Sequence, residues 1–287
     1  MSNWKNLFPK ENIFYETENG ILYNGDCLKI MSKFPENVID AIITDPPYGT
    51  TACSWDAIIP FEDMWRELKR VRKDITPIVL FGSEPFSSYL RTSNIKEFRE
   101  DIIWLKNKSG SGLNSNQKHI KIHEIISVFS KKGKYTFNPQ KWLVEEKEFL
   151  TQRKTFKEVE VGNNIYSKMI RKQKKDDGIR NPLSIISCKV PFTPSKTKTY
   201  SNIVDLRFHP TQKPVALMEY LIKTYTNEGD LVLDFTCGSG TTLVACERLN
   251  RKWVGIEISK EYCEIAKQRI EEEIKIKNKK LKNILFE

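Results

Sequence analysis

Two short strings hold the residue types that could do chemistry. The first is Asp45-Pro46-Pro47-Tyr48, in "TDPPYG", set directly behind the apolar run "DAII" (40–43). A residue before a proline avoids the helical region, so Asp45 and Pro46 are both held extended. The prolines fix their own φ and donate no hydrogen bond. The loop is therefore a stiff rim whose carboxylate and carbonyls serve as acceptors. An exocyclic amine has two hydrogens and asks for two acceptors; the Asp45 carboxylate and the Pro46 carbonyl can supply them, with Tyr48 stacking on the ring. That arrangement fits a planar aminated base at the carboxyl end of a strand, where open α/β sheets keep their ligands. The plainer alternative is a rigid strand-to-loop corner with a structural tyrosine.

The second string is "LVLDFTCGSGTTLVACERLN" (231–250): an apolar strand, an acid, a small-residue turn with Gly238 and Gly240, then a helix. Glycines there let a backbone approach a ligand, and the helix start offers unpaired N–H groups. Nineteen residues beyond Gly238, Glu257 closes the next apolar run, "WVGIE". An acid at that point can accept both hydrogen bonds of a ribose diol. A dinucleotide fingerprint would want a third glycine where Leu243 stands, and no Gly-Lys-Ser/Thr string follows for a phosphate-cradling loop. A nucleoside without phosphates fits better, and S-adenosylmethionine is the commonest.

The elements that must position these strings follow from the apolar pattern. Strand-length runs stand at 20–24, 40–44, 77–82, 101–106, 124–130, 230–235 and 252–258, most of them continuous, as expected for strands covered on both faces. Between them "PFEDMWRELKRV" (60–71), "VALMEYLIKTY" (215–225) and "SKEYCEIAKQRI" (259–270) repeat apolar residues at helical spacing. In the last, Tyr262, Ile265, Ala266 and Ile270 are expected on one face, followed by a fraying charged tail. Alternating strands and helices predict an α/β fold with a mostly parallel sheet. Between about 131 and 202 the rhythm fails, and a separate lobe or insertion is expected. From Lys131 to Lys198 there are 17 basic and 7 acidic residues, an excess equal to the net charge of +10 of the whole 287-residue chain. A concentrated positive field attracts polyanions, nucleic acid being the usual one; a lysine-rich solvated insert is the alternative.

Taken together, the two strings resemble those of amino-group DNA methyltransferases, which methylate adenine N6 or cytosine N4. Their order, with the Asp-Pro-Pro-Tyr string first, the basic region in the middle and the glycine turn last, is similar to the permuted β group of that family. The resemblance covers roughly 20–130 and 203–270, and implies a Rossmann-like methyltransferase sheet carrying an inserted target-recognition lobe at 131–202. It implies that Asp26, with Cys27 beside it in "NGDCL", meets the adenine amine of S-adenosylmethionine. Lys213, in "HPTQKPVALMEYLI", would lie near the methionine carboxylate. Asp234, Thr236, Cys237, Gly238, Gly240, Thr241 and Thr242 would line the methionine end, and Glu257 would hold the ribose. One departure stands out: the family usually has a Phe where Thr236 stands, and here Phe235 comes one step earlier.

The implied activity is site-specific transfer of a methyl group to adenine N6 in double-stranded DNA, by base flipping and direct displacement, with Asp45, Pro46, Pro47 and Tyr48 as the catalytic loop. Cytosine N4 makes the same demands and is the alternative; a non-catalytic nucleic-acid-binding protein is the reading outside enzymes. No covalent cysteine and no metal is called for, and the chain has no Pro-Cys dipeptide of the kind ring-carbon cytosine methylases use. A homodimer and a cognate restriction endonuclease remain open as partners. The six cysteines form no Cys-x-x-Cys pair and are expected as buried thiols. No apolar run reaches the ~18 residues of a membrane span, so a cytoplasmic protein is expected. Trp55, in "TTACSWD", could touch DNA or cover the site; His209 is expected to order a turn; "NKSGSGLNSNQK" (107–118) reads as a flexible loop. His119 and His123 share a metal-ligand spacing but lack a third ligand nearby.

Overall fold

The computed structural model describes residues 4–49, 56–108, 115–117, 119–131, 133–143, 178–191, 204–208 and 211–285, the last five of these by backbone only. Trp55, His209 and most of 107–118 and 144–202 lie outside them. Two units are distinguished, one of residues 1–138 with 184–287 and one of Pro139–Leu183.

Nine strands of the first unit form one sheet. In chain order they are β1 (Ile13–Glu16), β2 (Gly20–Asn24), β3 (Ala41–Thr44), β4 (Ile78–Gly82), β5 (Phe98–Leu105), β6 (His123–Phe129), β9 (Ile185–Ser187), β10 (Leu231–Asp234) and β11 (Lys252–Glu257). Their spatial order is β1-β2-β11-β10-β3-β4-β6-β5-β9. From β2 to β4 every neighbour is parallel; β1 on one side and β6 on the other run antiparallel to the strand they join. The sheet is thus the mostly parallel α/β sheet expected, with a reversed β5–β6 hairpin.

Every residue of β3, β4 and β10 is buried, which explains their unbroken apolar sequences. Alternate side chains feed two cores. Ile42, Ile78, Leu80 and Leu233 pack with helices α1 (Cys27–Met31), α2 (Phe61–Val71) and α3 (Phe86–Ser93). Ile43, Val79, Phe81 and Val232 pack with α4 (Val215–Tyr225), α5 (Thr241–Arg248) and α6 (Lys260–Leu285). Helix α2 illustrates the local logic. Glu62 and Asp63 suit its N-terminal turn and Lys69 and Arg70 its C-terminal one, while Met64, Trp65, Leu68 and Val71 are buried on a single stripe. Each such side chain contributes about 1.5–3 kcal/mol by leaving water.

Some expectations shift. In α6 the buried stripe runs through Cys263, Ala266 and Ile270, with Tyr262 and Ile265 only half-buried, and the helix continues to Leu285. The stretch expected as an insertion contributes to the main sheet at its end, because Ile185–Ser187 pair in parallel with Ile103–Leu105. Pro139–Leu183 form the second unit, where Trp142–Leu143 (β7) pair antiparallel with Ile179–Arg180 (β8). Among the described residues no helix is long and apolar enough to cross a membrane.

Strands β10 and β3 are neighbours, yet the chain leaves them in opposite directions: from β10 through α5 to β11, and from β3 through α2 to β4. Their carboxyl ends are therefore a topological switch point, where a parallel sheet opens a crevice.

Candidate active site

Both strings meet in that crevice. A cavity of about 390 Å³ is lined by Asp26, Cys27, the whole Asp45–Tyr48 loop, Lys213, Asp234, the Thr236–Ser239 turn, Thr241, Thr242 and Glu257. The volume lies within the range of small-molecule sites.

The glycine turn is built as its sequence requires. Gly238 has φ 52° and Gly240 φ 76°, the left-handed region that side chains rarely adopt. A Cβ on Gly240 would lie 2.8 Å from Ala266 of α6, whereas one on Gly238 would meet nothing within 4 Å. Gly240 thus lets α6 close on the turn, and Gly238 leaves open the space a ligand can use. Gly240 caps α5, whose opening residues Thr241 and Thr242 are buried under the turn. Glu257 ends β11, where Gly238 N donates to Oε2 and Ser259 N to Oε1, both at 2.8 Å. Two backbone donors orient this carboxylate even though burial pushes its carboxyl above the usual range. Asp26 caps α1, its Oδ1 accepting from Lys29 N at 2.9 Å.

Asp234 plays a more internal part than expected. Only 3% exposed, it accepts from Thr44 Oγ1 at 2.5 Å and from Thr236 N at 3.3 Å, and burial raises its carboxyl to about 6. The Cys237 and Cys27 thiols are also pushed up by burial, Cys27 to about 12, so neither is primed as a nucleophile. The five described cysteines are free, with Cys237, Cys246 and Cys263 buried.

On the other side of the crevice the Asp45–Tyr48 loop is pinned from within. The Tyr48 hydroxyl donates to Asp45 Oδ1 at 2.5 Å, and its ring stacks on Phe86 at 5.1 Å. Asp56 receives the backbone N–H groups of Tyr48 and Gly49 at 2.8 and 3.0 Å. Lys213 reaches this loop from the entry to α4. Its buried ammonium donates to Asp45 Oδ2 and lies 3.4 Å from Glu124 Oε2. Glu124 in turn pairs with Lys106. Burial pushes the Asp45 carboxyl up, opposed by Lys213. Burial would also lower Lys213, but Asp45 and Glu124 hold it above the usual lysine range.

Sequence reasoning missed Thr44, Phe86, Glu124, Gln212 and Arg269. Gln212 accepts from Ser239 Oγ at 3.1 Å and donates to the Leu206 carbonyl at 2.6 Å, tying the entry to α4 onto the glycine turn. Arg269, fully buried in α6, donates to Ser239 O at 2.6 Å and Val204 O at 2.7 Å. The adjacency of Gln212 to Lys213 in "HPTQKP" was a usable signal; the arginine sits in an ordinary charged helix and had none.

The geometry has counterparts among known proteins. Residues 39–268 match the model of a family described as DNA methylase, the N6/N4 Mtase family. The chain is 30% identical over 263 residues to the type II methyltransferase M.HpaI of Haemophilus parainfluenzae, covering 86% of this chain and 73% of that one. It is 27% identical to the DNA adenine methyltransferase YhdJ of Escherichia coli (strain K12), over 94% of this chain and 92% of YhdJ. Among solved structures, the M1.HpyAVI–SAM complex superposes with a TM-score of 0.56 at 28% identity, covering 86% of this chain and 98% of the other. With an acceptor loop and an acid-tipped glycine turn facing one crevice, this chain belongs to the DNA methylase family, the site-specific DNA methyltransferases of adenine N6 and cytosine N4.

Proposed function

We propose that this enzyme methylates N6 of adenine in duplex DNA, with the target base flipped into the crevice in front of Asp45. S-adenosylmethionine is the methyl donor, supplying an electrophilic methyl group on a sulfonium. Glu257 would hold its ribose, Asp26 its adenine amine, and the turn from Thr236 to Thr242 its methionine end. The open space above Gly238 and the backbone-oriented Glu257 carboxylate fit that assignment.

The observation that carries the reading is the placement of Asp45 and Pro46 on the same cavity as Glu257. The Asp45 carboxylate and the Pro46 carbonyl would accept the two amine hydrogens. This draws the nitrogen lone pair out of conjugation and favours the positive charge that grows on nitrogen. Asp45 is also the nearest base to take the proton the nitrogen must then lose. Asp56 and Phe86 hold the loop that presents these acceptors. An aspartate before the two prolines, together with the likeness to YhdJ, favours adenine over cytosine. The basic stretch 131–202 would grip phosphates and supply the groups that read base edges.

The test is incubation with labelled S-adenosylmethionine and unmethylated duplex DNA, then digestion to nucleosides and mass spectrometry. N6-methyladenine is expected. N4-methylcytosine would replace the base and keep the site, and no labelled nucleoside would end the reading.

A further inference from the structure

Four ionisable side chains of alternating charge, Lys106, Glu124, Lys213 and Asp45, run in a row from the end of β5 to the catalytic loop. Glu124 is the second residue of β6 and stands opposite Trp104 of β5, so the antiparallel hairpin itself brings it beside Lys106. Pro214, at the N-cap of α4, fixes the approach of Lys213 from the other side.

Two details of this row do not suit a static ion-pair network. Both carboxylate oxygens of Asp45 already receive a donor, Oδ1 from Tyr48 and Oδ2 from Lys213. The proposed chemistry needs one of them for the target amine, and an oxygen that already neutralises an ammonium has less charge to offer it. Glu124 Oε2, by contrast, is buried and receives no well-formed hydrogen bond, only the Lys213 ammonium at a long 3.4 Å. A buried carboxylate oxygen so loosely served is costly, and a shift of the ammonium by less than an ordinary bond length would satisfy it.

We propose that Glu124 is a positioning residue that offers the Lys213 ammonium a second seat, so that Lys213 moves from Asp45 to Glu124 as the target amine takes its place on Asp45. The row stays charge-balanced in both states, because the cation only changes which carboxylate it favours. Lys106 sets the balance by holding the other oxygen of Glu124. The inference rests on Asp45 being the acceptor of the amine.

The groups that face this row are few enough to work out a sign. Asp45 is faced by Tyr48 from its own loop, by Lys213 ahead of α4, by Glu124 on β6, and by Asp234 on β10. Glu124 is faced by Lys106 and Lys213, with Lys121 nearby, and Asp56 lies beside Tyr48. Glu124→Gln removes a like charge from Asp45 and leaves Lys213 to it alone, so the Asp45 carboxyl should titrate lower. Lys106→Gln frees Glu124 to compete harder for Lys213, so the same carboxyl should titrate higher.

The experiment is carboxyl-detected NMR titration of Asp45 in the full chain, comparing the wild type with both variants and assigning the signal with Asp45→Asn. Opposite shifts in the two variants are expected. No shift, or shifts of the same sign, would overturn the proposal. Because Lys106→Gln and Glu124→Gln alter different partners, either alone still reports the sign should the other fail to fold. Single-turnover methyl transfer gives the second readout. In Glu124→Gln its plateau should fall about tenfold, the worth of a charged hydrogen bond. Its acid limb should move to lower pH, with affinity for S-adenosylmethionine unchanged. A lowered plateau with an unmoved limb would mark Glu124 as merely structural and sink the idea. A wild type that labels no nucleoside would end the parent reading instead, whatever the titrations show.

Discussion

Thr236 Oγ1 stands 3.2 Å from the carbonyl oxygen of Asp45, linking the glycine turn to the Asp45–Tyr48 loop across two strands that are 190 residues apart in sequence. The same hydroxyl lies 2.8 Å from Thr44 Oγ1, whose own proton goes to Asp234. The Thr236 hydroxyl thus reaches both Thr44 and the Asp45 carbonyl, and ties the glycine turn to the Asp45–Tyr48 loop. The residue that departs from the family pattern thus has a local task of its own.

Replacing Thr236 by Val keeps the shape and removes that tie. A neutral hydrogen bond contributes about 0.5–1.5 kcal/mol, so single-turnover methyl transfer should slow about fivefold. Thr236→Ser, which keeps the hydroxyl, should restore the rate. A Val variant as fast as the wild type would show that the link is incidental.

Asp45→Ala removes an acceptor that strengthens as charge develops. Losses of about 10²–10³ in rate are typical for such groups, and the far-UV circular dichroism should stay native. Tyr48→Phe should cost less, since Asp45 keeps Lys213 and the ring keeps Phe86. Full activity in Asp45→Ala would overturn the site.

Glu257→Ala should abolish most of the thermal stabilisation that S-adenosylmethionine confers. A ligand at 100 times its Kd stabilises the native state by about 2.7 kcal/mol, which differential scanning fluorimetry resolves easily. Equal shifts in variant and wild type would remove Glu257 from the cofactor site.

The Asp234 carboxyl is raised by burial from 3.8 to about 6. The folded state therefore holds this proton more tightly than the unfolded chain, and stability falls as pH rises from about 4 to about 6. The full effect is on the order of 3 kcal/mol at 1.36 kcal/mol per unit. Urea unfolding of Asp234→Asn should lose this segment of the pH dependence and gain on the wild type across the same window. Parallel curves for the two proteins would mean that Asp234 does not titrate as placed.

DNA affinity should fall steeply with salt, because each phosphate neutralised releases counterions with a slope of about −0.9 in log–log form. Truncating lysines within 139–183 should flatten that slope, measured by fluorescence anisotropy at several salt concentrations. An affinity indifferent to salt would separate the basic stretch from DNA binding.

The sequence by itself determined the α/β sheet, the two functional strings and their order, because buried parallel strands read as unbroken apolar runs and both strings rely on local backbone chemistry. Proline restricts its neighbours and glycine permits positive φ wherever they occur, so the acceptor loop at Asp45 and the turn at Gly238 could be read without coordinates. The acid at Glu257 followed from strand spacing alone. The neighbours of Asp45 were another matter. Glu124 and Phe86 come from a strand and a helix far away in sequence, and nothing in their own surroundings marks them. Lys213 was noticed for its motif but its partners Asp45 and Glu124 were not, because a helix-entry lysine can reach either way and only the packed sheet decides which carboxylate it meets. Strand β9 stayed hidden for a similar reason. Three residues at a sheet edge have too little periodicity to read, and only pairing with β5 makes them a strand. Side-chain partnerships of this kind are long-range, and the tertiary structure alone settles them.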